Sequence, residues 1–217
     1  IVIKYMAVMI LSSAIGFIKI LLLARLIGPS DFGHYISLYA VAVFSATFFS
    51  FGTVESTLKQ FTRLWTNGAL EDIAIRFRQI THTLGIRYAI ISVIAMAISF
   101  IFDLEYGVVE ILSIHLLGFG TSLLLLYASI IRASESLRHQ KLFYMVRALL
   151  AFCPTMLLGV FYSWKGALIG EALGVLLAIL YSARLCNNFG LDLFVLGRGR
   201  EILDSEASNG GGRLYIA

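Results

Sequence analysis

Residues 6–27 read MAVMILSSAIGFIKILLLARLI, an apolar run that only Lys19 and Arg25 interrupt with charge. A helix needs roughly 20 apolar residues to cross about 30 Å of hydrocarbon, and this run reaches that length. A strand of a membrane barrel would instead alternate apolar and polar residues over about ten positions. The run therefore predicts a membrane-spanning α-helix.

Further segments repeat this character, and they cover residues 35–54, 84–102, 108–131, 142–163 and 166–185. The composition agrees, because 59% of the 217 residues are hydrophobic and only 14% are charged, whereas soluble domains carry about a quarter charged residues. Backbone polar groups in lipid must be satisfied within the segment, which selects helices. The sequence predicts an all-α polytopic membrane protein with a lobe of six transmembrane helices over residues 1–186. Residues 187–217 are predicted to be a cytoplasmic linker or the start of a second lobe.

The connections between these helices contain turn-forming residues. Gly28-Pro29 ends the first helix, and Ser30 or Asp31 is expected to cap the helix that follows. The longest connection, residues 55–83, carries Ile73 and Phe77 at helical spacing. This spacing predicts a short amphipathic helix that lies on the membrane surface.

The positions of Lys and Arg predict the orientation in the membrane. With the N-terminus in the cytoplasm, only Arg25 and Lys165 of the 17 Lys and Arg residues fall on the outer side, and Lys19 lies within the first helix. Cytoplasmic loops carry an excess of Lys and Arg, so both ends of the lobe are predicted to be inside. Four of the cytoplasmic residues cluster at the link between the fourth and fifth helices: Arg132, Arg138, Lys141 and Arg147. Setting the topology accounts for this cluster, and recruitment of an anionic lipid-linked substrate is the alternative role.

Residues 21–35, LLLARLIGPSDFGHY, carry a resemblance to a known family. They resemble the end of the first helix and the first loop of polysaccharide flippases in the multidrug/oligosaccharidyl-lipid/polysaccharide (MOP) exporter superfamily. The pattern in that family is an apolar helix ending in Ala-Arg, then Leu-Gly-Pro, an acidic residue and Phe/Tyr-Gly. Residues 52–55 (GTVE) and 165–171 (KGALIGE) look similar to the same family.

The resemblance implies an architecture and a function. Two six-helix lobes would form a V around a central cavity, with this chain as the N-terminal lobe and a C-terminal lobe outside it. The implied function is the flipping of a lipid-linked oligosaccharide, of the polyprenyl pyrophosphate type, across the bacterial cytoplasmic membrane for O-antigen or other surface polysaccharide synthesis. The implied partners are this substrate and membrane lipids, with no nucleic acid.

Lys19 is the sharpest candidate for a substrate-binding residue. It lies nine residues before Gly28, so it is roughly 13 Å from the end of its helix at about 1.5 Å per residue. A lysine at the centre of a span costs about 2.5–3.5 kcal/mol on insertion scales, which disfavours a lipid-facing position. Ser12 and Gly16 fall on the same helical face, as expected for the lining of a cavity. Snorkelling to the interface, or pairing with a carboxylate for stability, is the alternative.

Three more residues are candidates with structural alternatives. Arg25 would meet a phosphate near the outer mouth or anchor its helix at the interface. His115 would line the cavity, with a role in proton coupling, or bond to a neighbouring helix. Glu171 would be ion-coupling, protonated or paired, and it lies on a stripe of small residues that is first a helix-packing surface.

Enzyme motifs are not evident in the sequence. It contains no Walker-type loop, no His-Glu-x-x-His pattern and no Gly-x-Ser-x-Gly elbow. No cofactor and no metal site are predicted, and the chain is interpreted as a transporter. A drug/cation antiporter of the same superfamily is one alternative. A polytopic glycosyltransferase or ligase that acts on a lipid-linked donor is the other.

Overall fold

The computed structural model of the protein describes residues 2–50, 53–101, 107–191 and 193, with the side chains of these residues apart from 2–4 and 53–55. The described residues form six helices in chain order: α1 Val2–Ile27, α2 Pro29–Phe49, α3 Thr53–Thr66, α4 Leu70–Ile101, α5 Val108–Ala133 and α6 Leu137–Asn187. All except α3 are long and apolar enough to cross a membrane. The protein is therefore an all-α, multi-pass membrane protein, as the sequence predicts.

The last helix, α6, is a hairpin of two helices. Its 51 residues contain non-helical backbone at Tyr162 and at Ser163, where φ is +56°. A straight helix of this length would extend about 77 Å, more than twice the hydrocarbon thickness. The two halves, residues 137–161 and 164–187, match the predicted fifth and sixth segments, and the break lies at the predicted connection.

Glycines allow the two halves of α6 to pack with their backbones in close contact. A Cβ atom added at three glycines would lie against a carbonyl oxygen of the other half: Gly166 at 2.0 Å from Leu158, Gly170 at 2.4 Å from Pro154, and Gly174 at 2.5 Å from Leu150. From Gly166 to Gly174 the second half advances by steps of four residues, while the contacted residues of the first half go back by steps of four, from Leu158 to Leu150. The two halves are therefore antiparallel. Small residues at this spacing permit such close approach. Of the stripe of small residues predicted around Glu171, Gly174 lies on this contact line.

The remaining helices pack around α5 and α6. α5 contacts α2, α3, α4 and α6 and is buried on most of its surface, while α1 packs mainly against α6. At one end of the bundle, here called the Ser163 end, Ser163 donates a hydrogen bond to Asp31, and Lys165 pairs with Glu110 at 2.7 Å. The opposite end, called the α3 end, holds α3 and the short link before α6. There the Phe189 ring packs against Trp65.

The start of α2 differs from the prediction. This helix begins at Pro29 rather than at residue 35, and Gly28, with φ of +82°, is its N-cap. Proline suits the first turn, because its missing N–H would be unpaired there in any case. Neither Ser30 nor Asp31 caps the helix, since both lie within its first turn, and Asp31 instead accepts the hydrogen bond from Ser163.

The predicted surface helix within residues 55–83 is wrong in its placement. The amphipathic helix is α3, Thr53–Thr66, and Ile73 and Phe77 belong to the first turns of α4. Both side chains are buried, and the Phe77 ring lies 4.9 Å from that of Tyr127 in α5. The spacing of these apolar residues correctly predicts a helix. Their side chains, however, pack against other helices of the protein rather than against lipid headgroups.

Parts of several predicted segments lie outside the described residues. These parts are residues 51–52 of the family-like stretch 52–55 and the end of helix 2, residues 102–106 of the connection before α5, and residues 192 and 194–217 of the predicted linker. Of that linker, residues 187–191 and 193 are described, and Leu191 and Leu193 are buried in the core at the α3 end.

Candidate functional site

A buried ion pair joins α1 to the second half of α6. The amine of Lys19 lies 2.7 and 2.6 Å from the two carboxylate oxygens of Glu171. Lys19 is 6% exposed and Glu171 is 3% exposed. The sequence leaves substrate binding, snorkelling and pairing with a carboxylate open for Lys19. The structure shows the pairing with a carboxylate.

The Glu171 carboxylate has further donors around it. The hydroxyl of Thr155 lies 2.7 Å from one carboxylate oxygen, and the hydroxyl of Tyr35 donates to the same oxygen at 3.4 Å. Thr155 also lies 2.7 Å from the carbonyl of Ala151, so its single hydrogen serves one acceptor at a time. The Lys19 amine sits 5.7 Å from the centre of the Tyr39 ring, within range of a cation–π contact. α1, α2 and both halves of α6 thus meet at this pair.

The arrangement is costly to break. Two charges in a low-dielectric interior are stable only when they are well paired and hydrogen-bonded. Removal of one partner leaves the other charge buried without compensation, which typically destabilises a protein by about 3–5 kcal/mol. The pair therefore ties α1 to the α6 hairpin.

A cavity of about 310 Å³ opens beside this ion pair. Its polar lining comes from α1, α2, α5 and α6: Ser12, Ser13, Lys19, Tyr39, Thr121, Tyr144, Arg147 and Glu171. Ser12, Gly16 and Lys19 line it together, which confirms the predicted polar face of α1. The ion pair is thus part of a cavity wall within the lobe.

Arg147 is the residue of this cavity that sequence reasoning misplaced. The sequence groups Arg147 with the cytoplasmic cluster. In the structure it lies ten residues after the start of α6, which places it about 15 Å along the helix axis from that start. Within the described residues its guanidinium makes no hydrogen bond or ion pair. Since Lys19 is neutralised by Glu171, the charged residues that line the cavity leave one net positive charge, on Arg147.

Arg25 and His115, two of the predicted site residues, lie away from this cavity. Arg25 is exposed at the Ser163 end of α1. His115 lies in a separate groove of about 230 Å³ between α4 and α5. Its Nδ1 is 2.7 Å from the carbonyl oxygen of Ile111, one turn earlier, so that nitrogen carries the proton and donates. The structure therefore brings together Lys19 and Glu171, and it leaves Arg25 and His115 outside the cavity.

The residues that sequence reasoning missed had detectable signals. Arg147 falls inside the predicted span 142–163, where a charge is rare and usually faces the bundle interior. Tyr35 and Tyr39 are one helical turn apart at the start of a span, a spacing that places both side chains on one face of a helix. Thr155 directly follows Pro154, the only proline inside the described helices beyond the first turn of α2, and a polar residue beside a helix-interrupting proline within a span is a signal worth noting.

Comparison with known proteins does not identify the chain, because no protein-family model, no curated protein and no solved structure matches it.

Proposed function

We propose that this chain is a lobe of a transporter that moves a lipid-linked oligosaccharide, of the polyprenyl pyrophosphate type, across the bacterial cytoplasmic membrane. The observation that carries the proposal is Arg147, a cation that makes no hydrogen bond or ion pair with the described residues and lines a cavity between membrane-spanning helices. An arginine in a span is costly, and such residues characteristically line paths for polar substrates. An anionic headgroup that passes through the cavity would offset the charge of Arg147.

The chemistry of Arg147 suits the phosphates of such a headgroup. A guanidinium presents five N–H donors in a rigid plane and forms paired hydrogen bonds with two phosphate oxygens. Lys19 is a weaker candidate for the same role, because its amine already binds both oxygens of Glu171. In the proposal, Arg147 contacts the phosphate, and Lys19 holds α1 against α6 beside it.

The rest of the cavity wall is suited to sugar. Hydroxyls of Ser12, Ser13 and Thr121 can exchange hydrogen bonds with sugar hydroxyls, and Tyr39 and Tyr144 supply aromatic rings. The volume of about 310 Å³ is at the lower end of the range of roughly 300–1,000 Å³ for ligand sites. A phosphate or one sugar ring fits, so the remainder of the headgroup would lie outside this lobe, against a second lobe.

The charge of the cavity argues against the alternative of a drug/cation antiporter. Among the described residues that line the cavity, Glu171 is the only carboxylate, and Lys19 neutralises it. A cationic drug would meet the positive charge of the Arg147 guanidinium. Repulsion between like charges at short range in a low-dielectric site is unfavourable.

A leaflet-translocation assay tests the proposal. The full-length protein would be reconstituted into vesicles that contain a fluorescent polyprenyl-pyrophosphate oligosaccharide, and translocated headgroup would be measured by its accessibility to an impermeant reagent. Arg147→Ala is expected to lower the rate roughly tenfold or more, since a hydrogen bond to a charged group is worth about 1.5–3 kcal/mol. Arg147→Lys should keep part of the rate, and Arg63→Ala, on the exposed face of α3, should keep all of it. Equal rates for the wild type and Arg147→Ala would overturn the proposal.

A further inference from the structure

A second polar site lies at the α3 end of the bundle, between the two halves of α6. A groove of about 430 Å³ there is lined by Arg138 and His139 of the first half and by Tyr181, Arg184 and Asn188 at the end of the second. It shares no lining residue with the cavity beside Lys19. The predicted basic cluster is therefore divided, since Arg138 faces this groove and Arg147 faces the cavity.

The two arginines of the groove carry positive charge that no other described residue of the groove balances. Arg138 and Arg184 are both exposed, and within the described residues neither makes an ion pair or a hydrogen bond. Among the described residues, no carboxylate lines the groove. The neighbouring His139 is held in place, with its ring 4.5 Å from that of Phe189 and its Nδ1 2.5 Å from the hydroxyl of Ser136.

Apolar tracks continue from the arginines along an exposed side of the hairpin. Leu142 and Leu149 follow Arg138 by four and eleven residues, and Leu173 and Leu177 precede Arg184 by eleven and seven. These spacings keep each pair of leucines on the helical face of its arginine. All four leucines are exposed. The positively charged groove is thus continuous with two apolar tracks.

From this arrangement we propose that the groove between the halves of α6 is a binding site for an anionic phospholipid. The phosphate would lie between Arg138 and Arg184, and the acyl chains would follow the leucine tracks. Basic pockets between transmembrane helices bind anionic lipid headgroups in this manner. The bound lipid would reduce the repulsion between the two guanidiniums and would hold the open end of the hairpin together. This site does not depend on the proposed transport function.

Native mass spectrometry of the full chain, after removal of lipid and stepwise addition of phosphatidylglycerol or phosphatidylcholine, tests the site. The wild type is expected to bind one phosphatidylglycerol more tightly than any phosphatidylcholine. Arg138→Ala/Arg184→Ala should weaken this binding roughly thirtyfold, because each basic residue near the surface is worth about a fivefold change in affinity. The control Lys59→Ala/Arg63→Ala removes the same charge from the exposed face of α3 and should bind as the wild type does.

Several results would overturn this proposal. One is equal affinity for the two lipids, and another is equal loss of binding in the control. A third is displacement of phosphatidylglycerol by polyprenyl phosphate at equal concentration, which would assign the groove to the transport substrate. Circular dichroism and elution volume identify a misfolded double variant. In that case Arg138→Gln and Arg184→Gln, measured singly, should each weaken binding of phosphatidylglycerol roughly fivefold, and unchanged affinity in both would count against the site.

Discussion

Lys19 and Glu171 are separated by 152 residues, yet the amine of one lies 2.6 Å from a carboxylate oxygen of the other. The contact joins the first helix of the chain to the second half of its last helix. It also forms one wall of the cavity that Arg147 lines. The same ion pair therefore holds two helices together and neutralises Lys19 in the cavity wall. A change in either residue would alter both the packing of the bundle and the charge of the cavity.

The pair should behave as a unit in stability measurements. Lys19→Met alone is expected to lower the free energy of unfolding by about 3–5 kcal/mol, because it leaves the Glu171 carboxylate buried without its cation. The double variant Lys19→Met/Glu171→Gln should recover most of this loss, because no charge is then left unpaired. Denaturant unfolding in detergent micelles measures both. Additive losses in the double variant would show that the two side chains are not coupled.

Gly16 provides a way to fill the cavity without disturbing the helix packing. This residue lines the cavity, and a Cβ atom added there meets nothing within 4 Å. Gly16→Leu should therefore keep the stability of the wild type, while its side chain occupies the space proposed for the headgroup. Translocation is expected to fall close to the rate of protein-free vesicles. Gly33→Leu is the matched control, since Gly33 has equal space around it and lies outside the cavity. A normal rate for Gly16→Leu would mean that the substrate takes another path.

His115 is expected to be dispensable for transport. Its ring lines the groove between α4 and α5 and bonds to the backbone of its own helix, away from the charged cavity. His115→Ala should translocate within about a factor of two of the wild-type rate, as substitutions away from buried networks usually cost less than about 0.5 kcal/mol. The rate should also keep the wild-type dependence on pH. A flattened profile in the variant would restore His115 as a coupling group.

The α6 hairpin should tolerate no side chain at its contact line. Gly170→Ala places a methyl group 2.4 Å from the carbonyl oxygen of Pro154, a backbone atom that cannot move aside independently. We expect a loss of about 1–3 kcal/mol, typical of overpacking. The same change at Gly33, where the methyl group meets nothing within 4 Å, should leave stability unchanged or slightly raised. Thermal unfolding of the two variants side by side gives the comparison, and equal midpoints would contradict the close packing of the hairpin.

The sequence by itself determined the fold class and most of the spans. Long apolar runs predict helices because lipid offers no hydrogen-bond partner to the backbone. The sequence also predicts the break near Ser163 and the stripe of small residues around Glu171. Both predictions are possible because turn residues and helical periodicity are local properties of the chain. The polar face of Ser12, Gly16 and Lys19 was predicted for the same reason.

Only the tertiary structure decided which charges meet. The sequence shows that Lys19 is costly in lipid. Periodicity along one helix does not reveal which residue of another helix it contacts, so from the sequence Glu171 is a separate candidate. Arg147 was assigned to the cytoplasmic side because the positive-inside rule counts residues along the chain and does not register which way a side chain faces. Ion pairing and cavity formation depend on the positions of side chains from distant segments. Those positions are set by how α1, α2, α5 and the α6 hairpin pack together.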